Sequence, residues 1–218
     1  MKLTTVAIAF ISLLLAAPVQ AAYPVDAETL KNQKAPQISA TDVNTSTREA
    51  NTPSSSCTEV NDATIALIKE FETFVSRPTL GRSRETTIGY GHRCQTRRCF
   101  EVGQLPLTKD SATALLKRDV RQFTKCISRL LDHSVVLNDN QFGALVSWAF
   151  NIGCRKVRSS QLVQRLNSGE SPNIVATEEL PKWNTANGQV LPRLTKRRAA
   201  ENDLSLTPSP KEAHPKCT

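Results

Sequence analysis

Between Leu67 and Cys94 the chain reads LIKEFETFVSRPTLGRSRETTIGYGHRC, and within this stretch Glu72 stands where its neighbours are apolar. On a 3.6-residue repeat Ile65, Ile68 and Glu72 share one helix face, separated by three and then four positions. Burial on such a face disfavours the ionised carboxylate and raises its pKa, the condition for a general acid working near neutral pH. The plainer reading is a boundary glutamate in an i,i+4 ion pair. The helix offers it no partner, because the positions four away are Ile68 and Ser76. Between Glu72 and Thr87 only Glu85 carries another carboxylate. If Thr86-Thr87-Ile88-Gly89-Tyr90 is a strand, its period of two puts Glu85 and Thr87 on the same side.

The elements that must position these groups follow from spacing. Asn61 is a cap for the helix carrying Glu72, and Pro78 and Gly81 break the chain before the alternating run. His92 to Leu107 reads as a loop carrying Arg93, Arg97 and Arg98. Thr108 opens a long helix with Leu116, Val120, Phe123, Ile127 and Leu130 on one face. Asn138 and Gln141 form a capping box, with Leu137 and Phe142 placed to staple it. The following helix is apolar nearly all round, so it belongs at the centre of a core with Trp148 inside it, and Gly153 ends it. Two short helices are predicted, Ser160 to Asn167 and Pro172 to Glu179 with Ser171 as cap. A turn at Asn187-Gly188 comes next. The last helix runs from Leu191 to Leu204, where Arg197, Arg198 and Glu201 are spaced for i,i+3 and i,i+4 pairs. The tail from Ser205 is polar.

Several of these residues stand in a familiar order. Phe71-Glu72, Thr87-Ile88-Gly89-Tyr90-Gly91-His92, Gln141, the run Ala144 to Gly153, Pro181-Lys182-Trp183 and Arg197-Arg198-Ala199-Ala200-Glu201 resemble the phage-type lysozymes, glycoside hydrolase family 24, in particular their secreted fungal members. The resemblance spans roughly Val60 to Leu204. It implies a predominantly α, α+β fold of two lobes, a small β-hairpin lobe and a larger helical lobe joined by a long helix. It also implies Glu72 as the acid that protonates a departing glycosidic oxygen, Thr87 as a water-positioning residue and His92 as a substrate-binding residue. The family's hairpin aspartate, which would activate water, is replaced by Gly81. The glycine after the glutamate is Thr73, the hairpin tyrosine is Thr79, its glycine is Arg84, and Arg193 stands before Leu194. Glu85 is the candidate to supply the missing base, or else it is a solvated hairpin residue or pairs with Arg82 or Arg84.

Met1-Lys2-Leu3 followed by the apolar run Val6 to Ala17 reads as a signal peptide, with Val19-Gln20-Ala21 marking cleavage after residue 21. Residues 22–56 lack periodicity and large apolar side chains and read as a disordered linker or pro-segment, with a glycosylation sequon at Asn44. Residues 57–218 make the lysozyme-like domain. No later segment is long and apolar enough to span a bilayer, so a secreted monomer without integral membrane contact is expected. Six cysteines behind a leader imply disulfides, of undetermined connectivity. The pairing expected is Cys94–Cys99, Cys126–Cys154 and Cys57–Cys217. A zinc site of His92, Cys94 and Cys99 is the alternative, disfavoured by an oxidising route, so neither metal nor cofactor is expected.

The formal charge of +8, or +7 once a leader with Lys2 as its one charged residue is removed, draws the protein to polyanions. An aromatic content of 5% and the lack of a nucleic-acid motif argue against nucleic acid as the partner. Two functions are therefore expected to compete. One is a secreted muramidase cutting β-1,4 bonds of peptidoglycan. The other is a catalytically impaired lysozyme-fold protein that binds a cell-wall glycan or acts as an effector.

Overall fold

The computed structural model describes residues 59–81 and 85–215. The leader, the linker with Asn44, and the Cys57–Cys217 pairing fall outside the described residues. Helix α1 (Asp62–Phe71) is followed by the antiparallel strands β1 (Val75–Leu80), β2 (Thr86–Gly89) and β3 (His92–Arg93), and a 3-10 turn at Phe100–Val102 leads on. The long helix α2 (Lys109–Leu130) precedes the short strand β4 (Leu137–Asn138) and helices α3 (Asp139–Ile152), α4 (Cys154–Arg158), α5 (Gln161–Asn167) and α6 (Pro172–Glu179). A small hairpin, β5 (Thr185–Ala186) with β6 (Gln189–Val190), turns through Asn187-Gly188. Helix α7 (Pro192–Leu206) and strand β7 (Glu212–His214) complete the chain. The fold is α+β and predominantly α.

Local chemistry starts the helices where the spacing predicts. Asn61 Oδ1 accepts from the Thr64 amide at 3.0 Å, and its Nδ2 donates to Asn140 Oδ1 at 2.8 Å, so one cap also ties the start of α1 to that of α3. Thr108 and Ser111 cap α2 reciprocally, as Asn138 and Gln141 cap α3. Ser171 makes no side-chain cap bond, and Pro172 at the first turn starts α6 without it. Helix α3 is the centre of the core: Phe142, Leu145, Val146, Trp148 and Ala149 are buried, and Trp148 meets Trp183 edge-on. At Gly143 it approaches α1 so closely that an added Cβ would overlap Thr64 Oγ1.

Helix α2 touches β2 and β3 as well as α3 and α4, so it joins the strand lobe to the helical one. Its buried residues Leu116, Val120 and Ile127 lie on the predicted face, with Phe123 and Leu130 partly buried. The disulfides Cys94–Cys99 and Cys126–Cys154 are formed; the first clips the loop after β3 and the second ties α2 to α4.

Two local expectations are corrected. Pro78 does not break the chain but lies within β1, an edge strand whose register with β2 shifts between Val75 and Thr79. A proline is tolerated there because an edge strand need not donate every amide. The tail is not merely polar surface: β7 pairs with β4, and buried His214 stacks on Phe142 with its Nδ1 2.6 Å from the Val135 carbonyl oxygen. Three-residue strands give no periodic signal in sequence.

Candidate active site

Helix α1 ends at Phe71, and Glu72 is its capping residue, with extended backbone (φ −104°, ψ 129°) and its N–H donating to the Ile68 carbonyl at 3.0 Å. The chain turns toward β1 at this point, so Glu72 leaves the helix face shared by Ile65 and Ile68. Its side chain is 23% exposed and opens onto a cavity of about 620 Å³. That volume suits a few sugar rings, within the range of ordinary ligand clefts. His92, Asp119, Gln122, Phe150 and Asn151 also line it.

The expected apolar seclusion of Glu72 is replaced by an ion pair. Arg197 Nη1 donates to Glu72 Oε1 at 2.7 Å, reaching across from α7. A partner 125 residues away cannot be found by looking four positions either side. Arg197 is itself buried (3% exposed), its Nε donates to Glu201 Oε1 at 3.1 Å, and its Nη2 donates to the Ser147 carbonyl at 3.3 Å. Arg198 Nη2 donates to Asn151 Oδ1 at 2.9 Å. Its Nε lies 2.9 Å from Glu201 Oε2, outside hydrogen-bond alignment. The residues spaced for i,i+3 and i,i+4 pairs are therefore a buried network beneath the site. Burial pushes the Glu201 carboxyl up, against the opposing charges of Arg198 and Arg197. Burial likewise pulls the Arg198 guanidinium down to about 10.

Behind Glu72, Gly91 takes φ +88°, and a Cβ there would sit 3.6 Å from Glu72 Oε2. The next residue, His92, has its Nδ1 2.8 Å from Asp119 Oδ2 on α2. Its Nε2 is buried without a hydrogen bond, 3.6 Å from Glu101 Oε1. Burial pushes the Asp119 carboxyl up, opposed by the His92 hydrogen bond and charge.

Glu72 and His92 thus share one cavity. Thr87, paired in register with Thr79 and Arg93, and Glu85 are not among the described residues lining it. Glu85 lies just before β2, half exposed, and accepts from Arg93 Nη1 at 3.1 Å. That placement makes Glu85 an ion-paired hairpin residue with Arg93 as a partner; Arg82 and Arg84 lie outside the described residues. Gly81 donates its amide to the Glu85 carbonyl at 2.8 Å. The sequence reading missed Arg197, Asp119 and Asn151 as site residues. For Arg197 and Glu201 the i,i+4 spacing was the available signal, but spacing does not report burial. Cys94, Cys99 and Glu101 have possible ligand atoms within 4.8 Å of one another, yet the two sulfurs are bonded together and supply no thiolate.

A small antiparallel sheet and a larger helical body joined by α2, with a helix-end carboxyl lining a cleft, match the lysozyme-like architecture that the sequence resemblance implies. The phage lysozyme family model matches residues 69–201, and the chain belongs to that family. It is 36% identical over 158 residues to the endolysin of Bacillus phage PZA, covering 70% of this chain and 57% of the relative. It is 33% identical over 149 residues to the endolysin of Acyrthosiphon pisum secondary endosymbiont phage 1, covering 66% and 96%. The chain thus spans less than two thirds of the Bacillus phage relative and nearly all of the other. Among solved structures, the muramidase domain of SpmX from Asticaccaulis excentricus is similar, with 34% identity and a TM-score of 0.60, covering 69% of this chain and 99% of that one.

Proposed function

We propose that this chain is a muramidase that hydrolyses β-1,4 bonds of peptidoglycan, with Glu72 donating the proton to the leaving oxygen. The observation that carries this reading is Glu72 itself, fixed on one oxygen by Arg197 and open to a cavity of sugar-chain size on the other side. His92, on the cavity wall, is proposed to contact the glycan. Thr87 on β2 keeps its proposed part in positioning water near the hairpin. The similarity to proteins named endolysin and muramidase supports the same reaction class. Export through the leader at residues 1–21 fits two formed disulfides, and among the described residues no helix is long and apolar enough to cross a membrane.

Gly81 favours a second reading. It stands where the hairpin aspartate is expected and has no side chain with which to activate water, so a glycan could be held without being cut. Release of reducing ends from purified peptidoglycan separates the two. Wild type should release them and Glu72→Gln should not. Lysis surviving in Glu72→Gln refutes the site, and an inert wild type beside an active Gly81→Asp establishes the binding protein.

A further inference from the structure

We propose that Glu201 is a positioning residue for the acid, acting on Glu72 through Arg197; the proposal rests on the muramidase reading above. Glu201 is fully buried and is not among the residues lining the cavity. Its side-chain partners nevertheless lead there. Oε1 accepts from Arg197 Nε at 3.1 Å, and the same guanidinium donates through Nη1 to Glu72 at 2.7 Å. Its Oε2 lies 2.9 Å from Arg198 Nε, and Arg198 holds Asn151, a cavity residue, at 2.9 Å. One buried carboxylate therefore sets the attitude of two arginines, each of which grips one cleft side chain.

The geometry of the guanidinium makes this a directional constraint. Its donors lie in a rigid plane, and Arg197 spends three of them on three separate acceptors: Glu201, Glu72 and the Ser147 carbonyl. Phe71 lies against the guanidinium, 5.8 Å from ring centre to Cζ, and Ser147 Oγ donates to Glu201 Oε1 at 2.8 Å. The plane of Arg197, and with it the direction from which Glu72 is held, is fixed from the Glu201 side. Without the Glu201 charge, two buried guanidiniums adjoin, and Glu72 is the carboxylate left paired with Arg197. Arg197 is then drawn onto Glu72, which is held more tightly and swings less freely toward a glycosidic oxygen. Misplacement of a catalytic group by about 1 Å costs on the order of a hundredfold in rate.

The experiment compares wild type, Glu201→Gln and Glu201→Asp at a temperature well below each unfolding midpoint. Two readouts are used: kcat and KM for release of reducing ends from soluble peptidoglycan fragments, and the carbon-13 signal of the Glu72 side-chain carboxyl, assigned by its disappearance in Glu72→Gln. In Glu201→Gln, kcat should fall about ten- to a hundredfold with KM within about twofold. The Glu72 carboxyl signal should move, and it should stop responding to Glu201→Gln in an Arg197→Met background. Glu201→Asp keeps the charge but withdraws it by one methylene, so it should move both readouts by less; it also serves if the glutamine variant does not fold. A lowered unfolding midpoint with unchanged kcat and an unmoved Glu72 signal overturns the proposal. So does a shift that persists in Arg197→Met. An inert wild type sinks the muramidase reading alone, because the Glu72 signal still reports whether Glu201 acts on it.

Discussion

Gly91 is the place where backbone and chemistry meet most directly. Its φ of +88° lies where a side chain is strained, and an added Cβ would lie 3.6 Å from Glu72 Oε2 and 4.0 Å from Phe150 Cε1. These are ordinary contact distances, so Gly91→Ala adds little steric overlap and its stability cost is the conformational one, about 1–3 kcal/mol. For a domain of this size that lowers the unfolding midpoint by about 2–12 °C. The methyl also crowds Oε2, the carboxyl oxygen that Arg197 does not hold. Activity should fall about ten- to a hundredfold. Gly103 supplies the control: its φ is +83°, and nothing lies within 4 Å of an added Cβ. Gly103→Ala should therefore lose comparable stability and keep its activity. Circular dichroism melts and reducing-end release, measured on both variants at a temperature where each is folded, decide the matter. If Gly103→Ala loses as much activity as Gly91→Ala, or if Gly91→Ala loses none, crowding of Glu72 is the wrong explanation.

Gly143→Ala should destabilise by about 1–3 kcal/mol through overpacking, outweighing the gain in helix propensity of about 1 kcal/mol. Denaturant titration should show Thr64→Ala recovering part of that loss, because Thr64 Oγ1 is the atom displaced. Glu85→Gln should leave reducing-end release within about twofold of wild type, since its carboxylate is half exposed, ion-paired with Arg93 and not itself among the residues lining the cavity. A loss of tenfold or more would restore Glu85 as a base. Asp119 predicts a pH dependence of stability. Its folded pKa is raised above 3.8 by burial, so the folded state binds the proton more tightly than the unfolded one. The Asp119 contribution must then fall as pH rises from about 3.8 through the folded value. Unfolding free energies of Asp119→Asn, measured from pH 3 to 7, should lack that fall, so the wild-type-minus-variant difference should decrease with pH; a difference curve rising with pH overturns the assignment.

Much of this protein is written locally. Asn61, Thr108 and Asn138 announce their helices because a capping oxygen satisfies amides only two or three residues on, and the apolar run through Trp148 announces the core because its every face must be covered. Glu72 is likewise legible, as a carboxyl among aliphatic neighbours inside an ordered family pattern. What surrounds it is not. Arg197 reaches it from a helix 125 residues later, and only packing of α7 against α1 and α3 turns an i,i+4 spacing into a buried network. Glu85 shows the opposite case: strand alternation gives the side on which a side chain leaves the strand, but whether that side is cleft or solvent depends on where the sheet meets α2. Periodicity encodes which residues face alike; only tertiary contact decides what they face, because the partners of a charge are chosen in space and not along the chain.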